Sequence, residues 1–315
     1  MRALTLDSVP SAPAVTEVEA PRPEAGELLV SVAASSVNGF DAATAAGFFL
    51  GRREHRFPLV LGKDFVGTVE ELGAGVVDFE PGDAVFGVVM KPFLGTGSLA
   101  EYVTVPADYG VAHLPAGLAA TDAAALGLAG TAAWDGVTAL AVRPGETVLI
   151  SGASGGVGAF AVQYAAARGA KLLVTALPGP ESDFVRQLAG TEMHVLDYSG
   201  GTDDVAVQAR RAAPQCVDAV LHLAGDGALL ASLLRAGGRF VSTIGFGPES
   251  VGDPSVTAHA VMARPNRATL ERLAADVIAG TIRVPVTAAY PLERAPEAFE
   301  AFTAGAMGKI VITMV

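Results

Sequence analysis

Residues 147–168 carry the sequence feature that most limits how this chain can fold. Residues 147–150 form a short apolar run, rich enough in β-branched side chains to make a buried parallel strand. Four glycines follow between positions 152 and 158, and from Val157 the apolar residues recur at helical spacing. A strand, a glycine-rich turn and a helix in this order are typical of the phosphate-binding corner of a βαβ unit. A tight turn alone would also use glycines, but further strand-like runs follow at βαβ spacing and favour the corner.

The glycine corner, defined here as residues 152–158, predicts a dinucleotide site. Glycine lets the backbone approach a pyrophosphate, and the free N–H groups and the dipole of the helix N-terminus attract its negative charge. We therefore expect four corner residues to contact the cofactor: Ser154, Gly155, Gly156 and Val157.

The end of the next predicted strand, residues 171–177, bears on which dinucleotide binds. In NAD-specific sheets an acidic residue ends this strand and holds the ribose 2′-hydroxyl. Here no carboxylate follows until Glu181, which leaves room for a 2′-phosphate and predicts NADP, used as NADPH. The residues expected near that phosphate are Ala176, Ser182, Arg186 and Tyr198. For Arg186, an ordinary solvated position on a helix is the alternative interpretation.

Composition excludes several classes of partner. The net charge of −12 argues against nucleic acid or an anionic membrane as the main partner. A single cysteine, Cys216, excludes an internal disulfide and a multi-cysteine metal site. The first residues lack the basic and apolar segments of a secretion signal, and glycines interrupt the uncharged stretch 147–167, so we expect a cytoplasmic protein with no membrane partner.

The pattern of predicted elements divides the 315 residues into parts. Short strands separated by glycine and proline turns fill residues 1–120, which predicts a small β-barrel or β-sandwich. Strands and helices then alternate over residues 121–258, which predicts a doubly wound parallel sheet of the Rossmann type. From about residue 265 the alternation gives way to two helices and two strands, within a third part that spans residues 259–315.

Motifs along the whole chain resemble the medium-chain dehydrogenase/reductases, specifically their zinc-free quinone oxidoreductase branch. The matching segments are SSVNGFD (35–41), FPLVLGKDFVGTVEELGAGV (57–76), PGDAVFG (81–87), SLAEYVTVP (98–106), LAGTAAW (128–134), SGASGGVG (151–158) and GKIVITMV (308–315). The resemblance implies a GroES-like substrate domain at 1–120, an NADP-binding Rossmann domain inserted at 121–258, and a return to the substrate domain at 259–315. It also implies a homodimer.

The resemblance also assigns residues to a metal-free site. Zinc-dependent relatives carry a cysteine near the first motif and a His-Glu pair where this chain has Lys63-Asp64, so we expect no metal. Asn38 matches a position that faces the nicotinamide and the substrate, and Lys63 is expected to line the same cleft. The alternatives are an Asx turn or a helix cap for Asn38, and a surface turn for Lys63.

Further cofactor contacts follow from the same resemblance. Relatives have a threonine near the nicotinamide ribose, and Thr131 lies one residue before its expected place. Tyr198 matches a family position at the end of the third strand. Ile244 and Phe246 follow a later strand, where Phe246 either covers the nicotinamide or only packs. Lys309 either reaches the cleft or guards an exposed sheet edge.

These expectations converge on a reductase. The leading interpretation is an NADPH-dependent enzyme that transfers hydride to a quinone or an α,β-unsaturated carbonyl without a metal. An enoyl reductase acting on a carrier- or coenzyme-A-linked intermediate is an alternative, for which Arg52, Arg53 and Arg56 would bind a pantetheine phosphate. A nucleotide-binding protein without turnover is the other alternative.

Overall fold

The computed structural model describes residues 1–314 and divides the chain into two compact units. The β-rich unit consists of Met1–Thr131, Arg264–Ala279 and the residues from Val286 onward. The α/β unit consists of Ala132–Ala263 and Gly280–Pro285.

The strands of the described residues are β1 (Arg2–Leu6), β2 (Ala14–Glu17), β3 (Glu27–Ser36), β4 (Leu59–Val60), β5 (Asp64–Leu72), β6 (Ala84–Val88), β7 (Tyr102–Pro106), β8 (Val111–His113), β9 (Thr147–Ser151), β10 (Lys171–Thr175), β11 (Met193–Leu196), β12 (Val217–His222), β13 (Leu234–Ser242), β14 (Thr257–Ala260), β15 (Val286–Pro291) and β16 (Lys309–Thr313). The α-helices are α1 (Gly39–Ala45), α2 (Ala120–Ala139), α3 (Gly156–Ala167), α4 (Pro180–Ala189), α5 (Thr202–Ala212), α6 (Gly227–Ala231), α7 (Arg267–Ile278) and α8 (Ala295–Thr303), with short 3₁₀ turns at Pro248–Ser250 and Leu292–Arg294.

Within the described residues, the β-rich unit contains a large sheet and a small one. The large sheet has the order β15-β16-β3-β5-β6-β8, and β7 also pairs with β3. Strand β3 pairs antiparallel with β5, β7 and β16, so the C-terminal strand returns to the N-terminal part of the chain. Leu28, Val30 and Val32 of β3 point into one core because alternate residues of a strand share a face. The small sheet has the order β2-β1-β4.

The α/β unit is built on a parallel sheet with the strand order β11-β10-β9-β12-β13-β14. Numbered within the unit, this is the order 3-2-1-4-5-6 of a doubly wound dinucleotide-binding fold. Val148, Leu149 and Ile150 of β9 are fully buried, as expected for a central parallel strand that is covered on both faces. The strand order reverses between β9 and β12, so the glycine corner after β9 lies at the switch point of the sheet. The predicted fold class is confirmed.

Three boundaries differ from the sequence-based expectations. The sequence predicts a helix at residues 227–235 and a strand from residue 239, whereas helix α6 ends at Ala231 and β13 begins at Leu234. The glycine pair Gly237-Gly238 does not end an element but lies within β13, where the register with β12 shifts between Val217 and Ala219. Helix α2 spans the border between the units, which places residues up to Thr131 with the β-rich unit.

Candidate active site

The glycine corner has the geometry that a phosphate site requires. Gly152 turns the chain after β9 with a positive φ of 72°, which favours glycine. A Cβ on Gly158 would lie 2.1 Å from the Gly152 carbonyl oxygen, so glycine is needed for the turn to pack against α3. A Cβ on Gly155, in contrast, would approach the protein no closer than 3.5 Å. Gly155 is the N-cap of α3, and its helix has no side-chain cap. The free N–H groups of this helix end therefore suit an anion such as a pyrophosphate.

A cavity of about 270 Å³ lies beside the corner. Its lining is mainly apolar or backbone, with a few hydroxyl groups at the ends of the sheet strands. Among the residues that line it are Gly152, Ser154, Thr175, Tyr198 and Gly225. Gly152 N–H donates to the Thr175 hydroxyl at 2.7 Å, which ties the corner to the end of β10. Few polar groups converging on an apolar cleft is the usual composition of a cofactor site.

A carboxylate stands at the end of β10, where the sequence analysis expected none. Glu181 lies in the first turn of α4, and its side chain reaches back to accept a hydrogen bond from Leu177 N–H at 2.8 Å. The hydroxyl of Tyr198 donates to the same carboxylate at 3.1–3.2 Å, and the hydroxyl of Ser154 is a third donor. The expectation of NADPH rests on the absence of an acid before Glu181, and in the folded chain the Glu181 carboxylate returns to the end of β10.

The other residues expected at the 2′-phosphate are placed differently from one another. Ala176 is fully buried and its N–H donates to the Leu196 carbonyl. The Ser182 hydroxyl is buried and donates to the Gly179 carbonyl at 2.9 Å. Arg186 is exposed in the last turn of α4. Only Ser154 and Tyr198, of the residues predicted here, both line the cavity and direct a hydroxyl to one point.

The segment after β13 is held by the hydroxyl of Ser242, which in turn contacts a buried histidine. The Ser242 hydroxyl oxygen accepts hydrogen bonds from the N–H groups of Ile244 and Phe246, and it lies 3.1 Å from Nδ1 of His222. The Phe246 ring packs edge-on against His222, with ring centroids 5.7 Å apart, and also against Phe240. Burial lowers the pKa of His222. Phe246 thus packs against buried rings, whereas Ile244 is exposed, and a contact of Phe246 with the nicotinamide stays a prediction.

The β-rich unit contains a buried group of polar and charged side chains, which we name the polar cluster: Ser36, Asn38, Asp41, Lys63, Asp64 and Lys309. Asp64 is its centre and has no exposed surface. Its Oδ2 accepts hydrogen bonds from the Ser36 hydroxyl at 2.6 Å and from the Asn38 amide at 2.9 Å. Its Oδ1 accepts one from Leu128 N–H at 2.6 Å. Protein donors therefore satisfy both oxygens of Asp64, as burial of a polar group requires.

Lys309 completes this arrangement from the last strand. Its ammonium lies 3.4 Å from Asp64 Oδ2 and donates to Asn38 Oδ1 at 2.5 Å. Lys309 is only 1% exposed, and β16 is paired on both sides by β15 and β3. The interpretation of Lys309 as the guard of an exposed sheet edge is therefore wrong. Burial lowers its pKa, against the opposing effect of Asp64 and Asp41.

Asn38 is committed to protein partners by the same contacts. Its amide nitrogen donates to the Ser36 carbonyl and to Asp64, and its amide oxygen accepts from Lys309. The Asn38 side chain therefore positions the charged groups around it, and its donors are already used.

Lys63 and Asp41 are the titratable pair of the polar cluster. Burial lowers the pKa of Lys63 from 10.5 to about 8, although the nearby carboxylate of Asp41 raises it. The Lys63 ammonium donates to the Val89 carbonyl and lies 4.9 Å from the centre of the Phe40 ring. Burial raises the pKa of Asp41 from 3.8 to about 6, against hydrogen bonds from Asn38 N–H and Gly62 N–H. Lys63 thus changes charge close to neutral pH and lies beneath an aromatic ring, not on a surface turn.

Thr131 is the last residue of the β-rich unit and is completely buried. Its hydroxyl has no hydrogen-bond partner in the structure. A buried hydroxyl without a partner is unfavourable, so this position is consistent with a ligand contact.

In residues 1–314, no three or more His, Cys, Asp or Glu side chains are grouped where they could hold a metal ion. Over the same residues, no helix combines the length and the apolar character needed to cross a membrane.

Sequence reasoning missed Glu181 and Asp64 as site residues. From the sequence, Glu181 is expected to lie too far along the chain to act at the end of β10. Its side chain returns to that strand because of how α4 starts after Gly179. Asp64 carried a signal that could have been used: an acidic residue begins the apolar strand β5, and Ser36 ends β3 directly opposite. Buried polar residues at paired strand positions indicate a hydrogen-bonded network.

Comparisons with known proteins agree with this geometry. A family model described as an alcohol dehydrogenase GroES-like domain matches residues 24–116, and one described as a zinc-binding dehydrogenase matches residues 192–312. A zinc-type alcohol dehydrogenase-like protein of Schizosaccharomyces pombe is 30% identical over 309 residues, which cover 91% of this chain and 86% of that protein.

Other relatives share only part of their length with this chain. A mycocerosic acid synthase-like polyketide synthase of Mycobacterium tuberculosis is 39% identical over 225 residues, 70% of this chain but 10% of that protein. The chain thus spans about a tenth of the length of the polyketide synthases it matches. An NAD(P)H oxidoreductase of Mus musculus is 36% identical over 194 residues, 56% of this chain and 47% of that protein.

Among solved structures, a quinone oxidoreductase from Coxiella burnetii has the same fold throughout. The TM-score is 0.88, the sequence identity is 27%, and the match covers 100% of this chain and 99% of that one.

Proposed function

This chain is an oxidoreductase-like member of the medium-chain dehydrogenase/reductase superfamily, and we propose that it transfers hydride from a reduced nicotinamide dinucleotide to a quinone or an α,β-unsaturated carbonyl without a metal. The observation that carries the proposal is the uncapped glycine corner at the switch point of a 3-2-1-4-5-6 sheet. Similarity to an NAD(P)H oxidoreductase and a quinone oxidoreductase supports it.

The corner residues would hold the dinucleotide. Gly156 and Val157 present backbone N–H groups at the start of α3, whereas the Gly155 N–H donates to the Gly152 carbonyl and Gly155 would instead let the backbone approach the pyrophosphate. Ser154 and Tyr198, which line the cavity, are proposed to lie at the ribose. A bound dinucleotide of this kind supplies the hydride. Thr131, with its unpartnered hydroxyl, is proposed as a further contact.

The polar cluster of the β-rich unit is proposed to supply positive charge near the acceptor. Hydride addition to a quinone or an enone builds negative charge on oxygen, which a nearby cation stabilises. Lys63 is the proposed cation, because its pKa of about 8 leaves it mostly protonated at pH 7 and able to give up a proton above that pH. Asn38 and Lys309 are positioning residues in this proposal, since they bind each other and Asp64.

Metal independence is part of the proposal and is supported by how the carboxylates are used. Both oxygens of Asp41 and both oxygens of Asp64 accept hydrogen bonds from protein donors. Asn38 and Lys63 occupy the places where zinc-dependent relatives were expected to carry cysteine and histidine. An acceptor that is already electrophilic does not need a Lewis acid.

The test is a panel of acceptors, with dinucleotide absorbance as the readout. Quinones and enones are offered with NADH and with NADPH, and the Gly155→Ala protein is the control for a site at the corner. Oxidation of the dinucleotide that depends on an acceptor supports the reductase. Tight dinucleotide binding without turnover of any acceptor would instead mean a nucleotide-binding protein that does not catalyse.

An enoyl reductase acting on a carrier- or coenzyme-A-linked intermediate is the second candidate. Two observations favour it: the match to polyketide synthases, and a basic loop in which Arg52 lies over the ring of Phe48 and Arg56 over that of Phe93. Exposed guanidinium groups held on aromatic rings suit a phosphate. Adding enoyl thioesters to the panel separates the two, because this candidate predicts a far higher kcat/KM for the thioester than for the free enone.

Family resemblance also supports a homodimer that acts on a small-molecule substrate, and the cytoplasm is the location we propose for it. Sedimentation of the purified chain would show a single species of twice the chain mass if the dimer forms, and a species of one chain mass if it does not.

A further inference from the structure

We propose that Glu181 selects NADH over NADPH, by accepting a hydrogen bond from the ribose 2′-hydroxyl and repelling a 2′-phosphate. The inference rests on the proposed function, because it requires a nicotinamide dinucleotide at the glycine corner. It reverses the cofactor expected from the sequence.

The position of the carboxylate is set by three elements of the α/β unit. Ser154 belongs to the glycine corner, Leu177 follows β10, and Tyr198 follows β11; each donates one hydrogen bond to Glu181. The carboxyl ends of adjacent parallel strands are where the adenosine ribose of a dinucleotide lies in this fold. Glu181 therefore supplies from α4 the carboxylate that other sheets of this kind supply from the strand itself.

The charge of this carboxylate is not balanced by its partners. All three donors are neutral, namely two hydroxyls and one backbone N–H. Asp183 adds a second acidic residue to the same first turn of α4. Arg186, the nearest basic residue along the helix, is exposed in its last turn. A 2′-phosphate would meet a carboxylate at close range, and like charges at such distances repel strongly.

The same donors could hold a phosphate only if Glu181 left them. Displacing the side chain breaks three hydrogen bonds to a charged acceptor, each stronger than a neutral one. Binding of NADPH would cost these three hydrogen bonds. Binding of NADH would not, because the ribose 2′-hydroxyl can donate one more hydrogen bond to the Glu181 carboxylate where it stands. Either way, the carboxylate lowers the affinity for NADPH relative to NADH.

The experiment measures the dissociation constants of NADH and NADPH, by nucleotide fluorescence, for the unaltered protein, Glu181→Gln and Glu192→Gln. Glutamine at 181 keeps the size and one acceptor oxygen for Leu177 N–H, and its NH2 group can donate to the hydroxyls of Ser154 and Tyr198, so the loop should remain folded, which the thermal midpoint checks. Glu192 is exposed just before β11, at the end of the strand opposite to Tyr198. Glu192→Gln therefore removes one negative charge at a place far from the site. The ratio of the two constants is independent of the fraction of active protein.

We expect the unaltered protein to bind NADH at least about tenfold more tightly than NADPH, since one hydrogen bond to a charged group carries about that factor. Glu181→Gln should weaken NADH and strengthen NADPH, moving the ratio about tenfold or more toward NADPH, whereas Glu192→Gln should leave it unchanged. Tighter NADPH binding by the unaltered protein, or an unchanged ratio in Glu181→Gln, overturns the role of Glu181 and leaves the reductase proposal standing. Absence of binding by both nucleotides would overturn both proposals.

Discussion

At the scale of single residues, the polar cluster depends on the pairing of Lys309 with Asp64. Replacing Lys309 by Met leaves a fully buried carboxylate without its cation, while three hydrogen bonds to it remain. Breaking a buried pair from one side typically costs about 3–5 kcal/mol, and the remaining donors favour the lower end, about 3 kcal/mol. Denaturant unfolding of the variant measures this loss.

A double variant supplies the control for that prediction. Asp64→Asn removes the uncompensated charge, so the free energy lost by Lys309→Met together with Asp64→Asn should be smaller than the sum of the two single losses by about 1 kcal/mol or more. Additive losses would contradict a direct interaction between Lys309 and Asp64.

Lys63 gives the cluster a dependence on alkaline pH. Its pKa is lowered from 10.5 to about 8 in the folded protein, so folding favours the neutral amine. This contribution to the free energy of unfolding is fully present above about pH 10.5 and is lost as the pH falls through 8. Because one pKa unit corresponds to about 1.4 kcal/mol, raising the pH from 8 to 10 should stabilise the protein by about 2 kcal/mol relative to Lys63→Met. Unfolding free energies of both proteins at the two pH values provide the measurement. Parallel pH dependences would mean that folding does not lower the pKa of Lys63.

At the scale of elements, two glycines of one turn have separable roles. Gly158→Ala places a methyl group 2.1 Å from the Gly152 carbonyl oxygen, so the turn must move and the thermal midpoint should fall by several degrees. Gly155→Ala meets nothing closer than 3.5 Å and has an ordinary φ of −72°, so stability should change little. The new methyl group projects at the N-cap of α3, where it should weaken dinucleotide binding about tenfold or more if the backbone must approach a pyrophosphate.

The thermal midpoint and the dinucleotide dissociation constant, measured on both variants, give the comparison. Unchanged affinity in Gly155→Ala would mean that the corner is only a turn. A substitution such as Gly156→Val would test the same corner less cleanly than Gly155→Ala, because Gly156 is the first residue of α3 and its backbone is helical.

Elements with strong periodicity could be predicted from the sequence, and those set by side-chain reach could not. Apolar runs between turns predict buried strands such as β9 and β10, since a central parallel strand is covered on both faces. The sequence places the start of this strand at residue 239, after Gly237 and Gly238, whereas β13 begins at Leu234 and the two glycines lie within its irregular part. Glu181 and Lys309 were misjudged for a different reason: their partners lie on other strands, and no local pattern records such contacts.

At the scale of the whole molecule, the order of the parallel sheet follows from connection rules applied to alternating strands and helices. The return of the C-terminal strands to the β-rich unit does not, and only the family resemblance predicted it. In the structure β16 pairs with β3, which joins residues more than 270 positions apart, as Val311 with Ser36. Pairing over such a distance leaves no trace in local periodicity. An apolar strand such as β16 has the same sequence pattern whichever strand it pairs with.

The central claim concerns the whole molecule: hydride passes directly from a nicotinamide dinucleotide to an electrophilic carbon, without a metal. The most direct measurement supplies dinucleotide deuterated at C4 of the nicotinamide, with an enone as acceptor, to protein treated exhaustively with a chelator. Mass spectrometry then locates the deuterium in the reduced product. We predict one deuterium on the β-carbon of the enone, with undiminished rate after chelation. The two hydrogens on C4 are labelled in separate experiments. The account would be contradicted if neither label reached the product, or if activity were lost on chelation and restored by zinc.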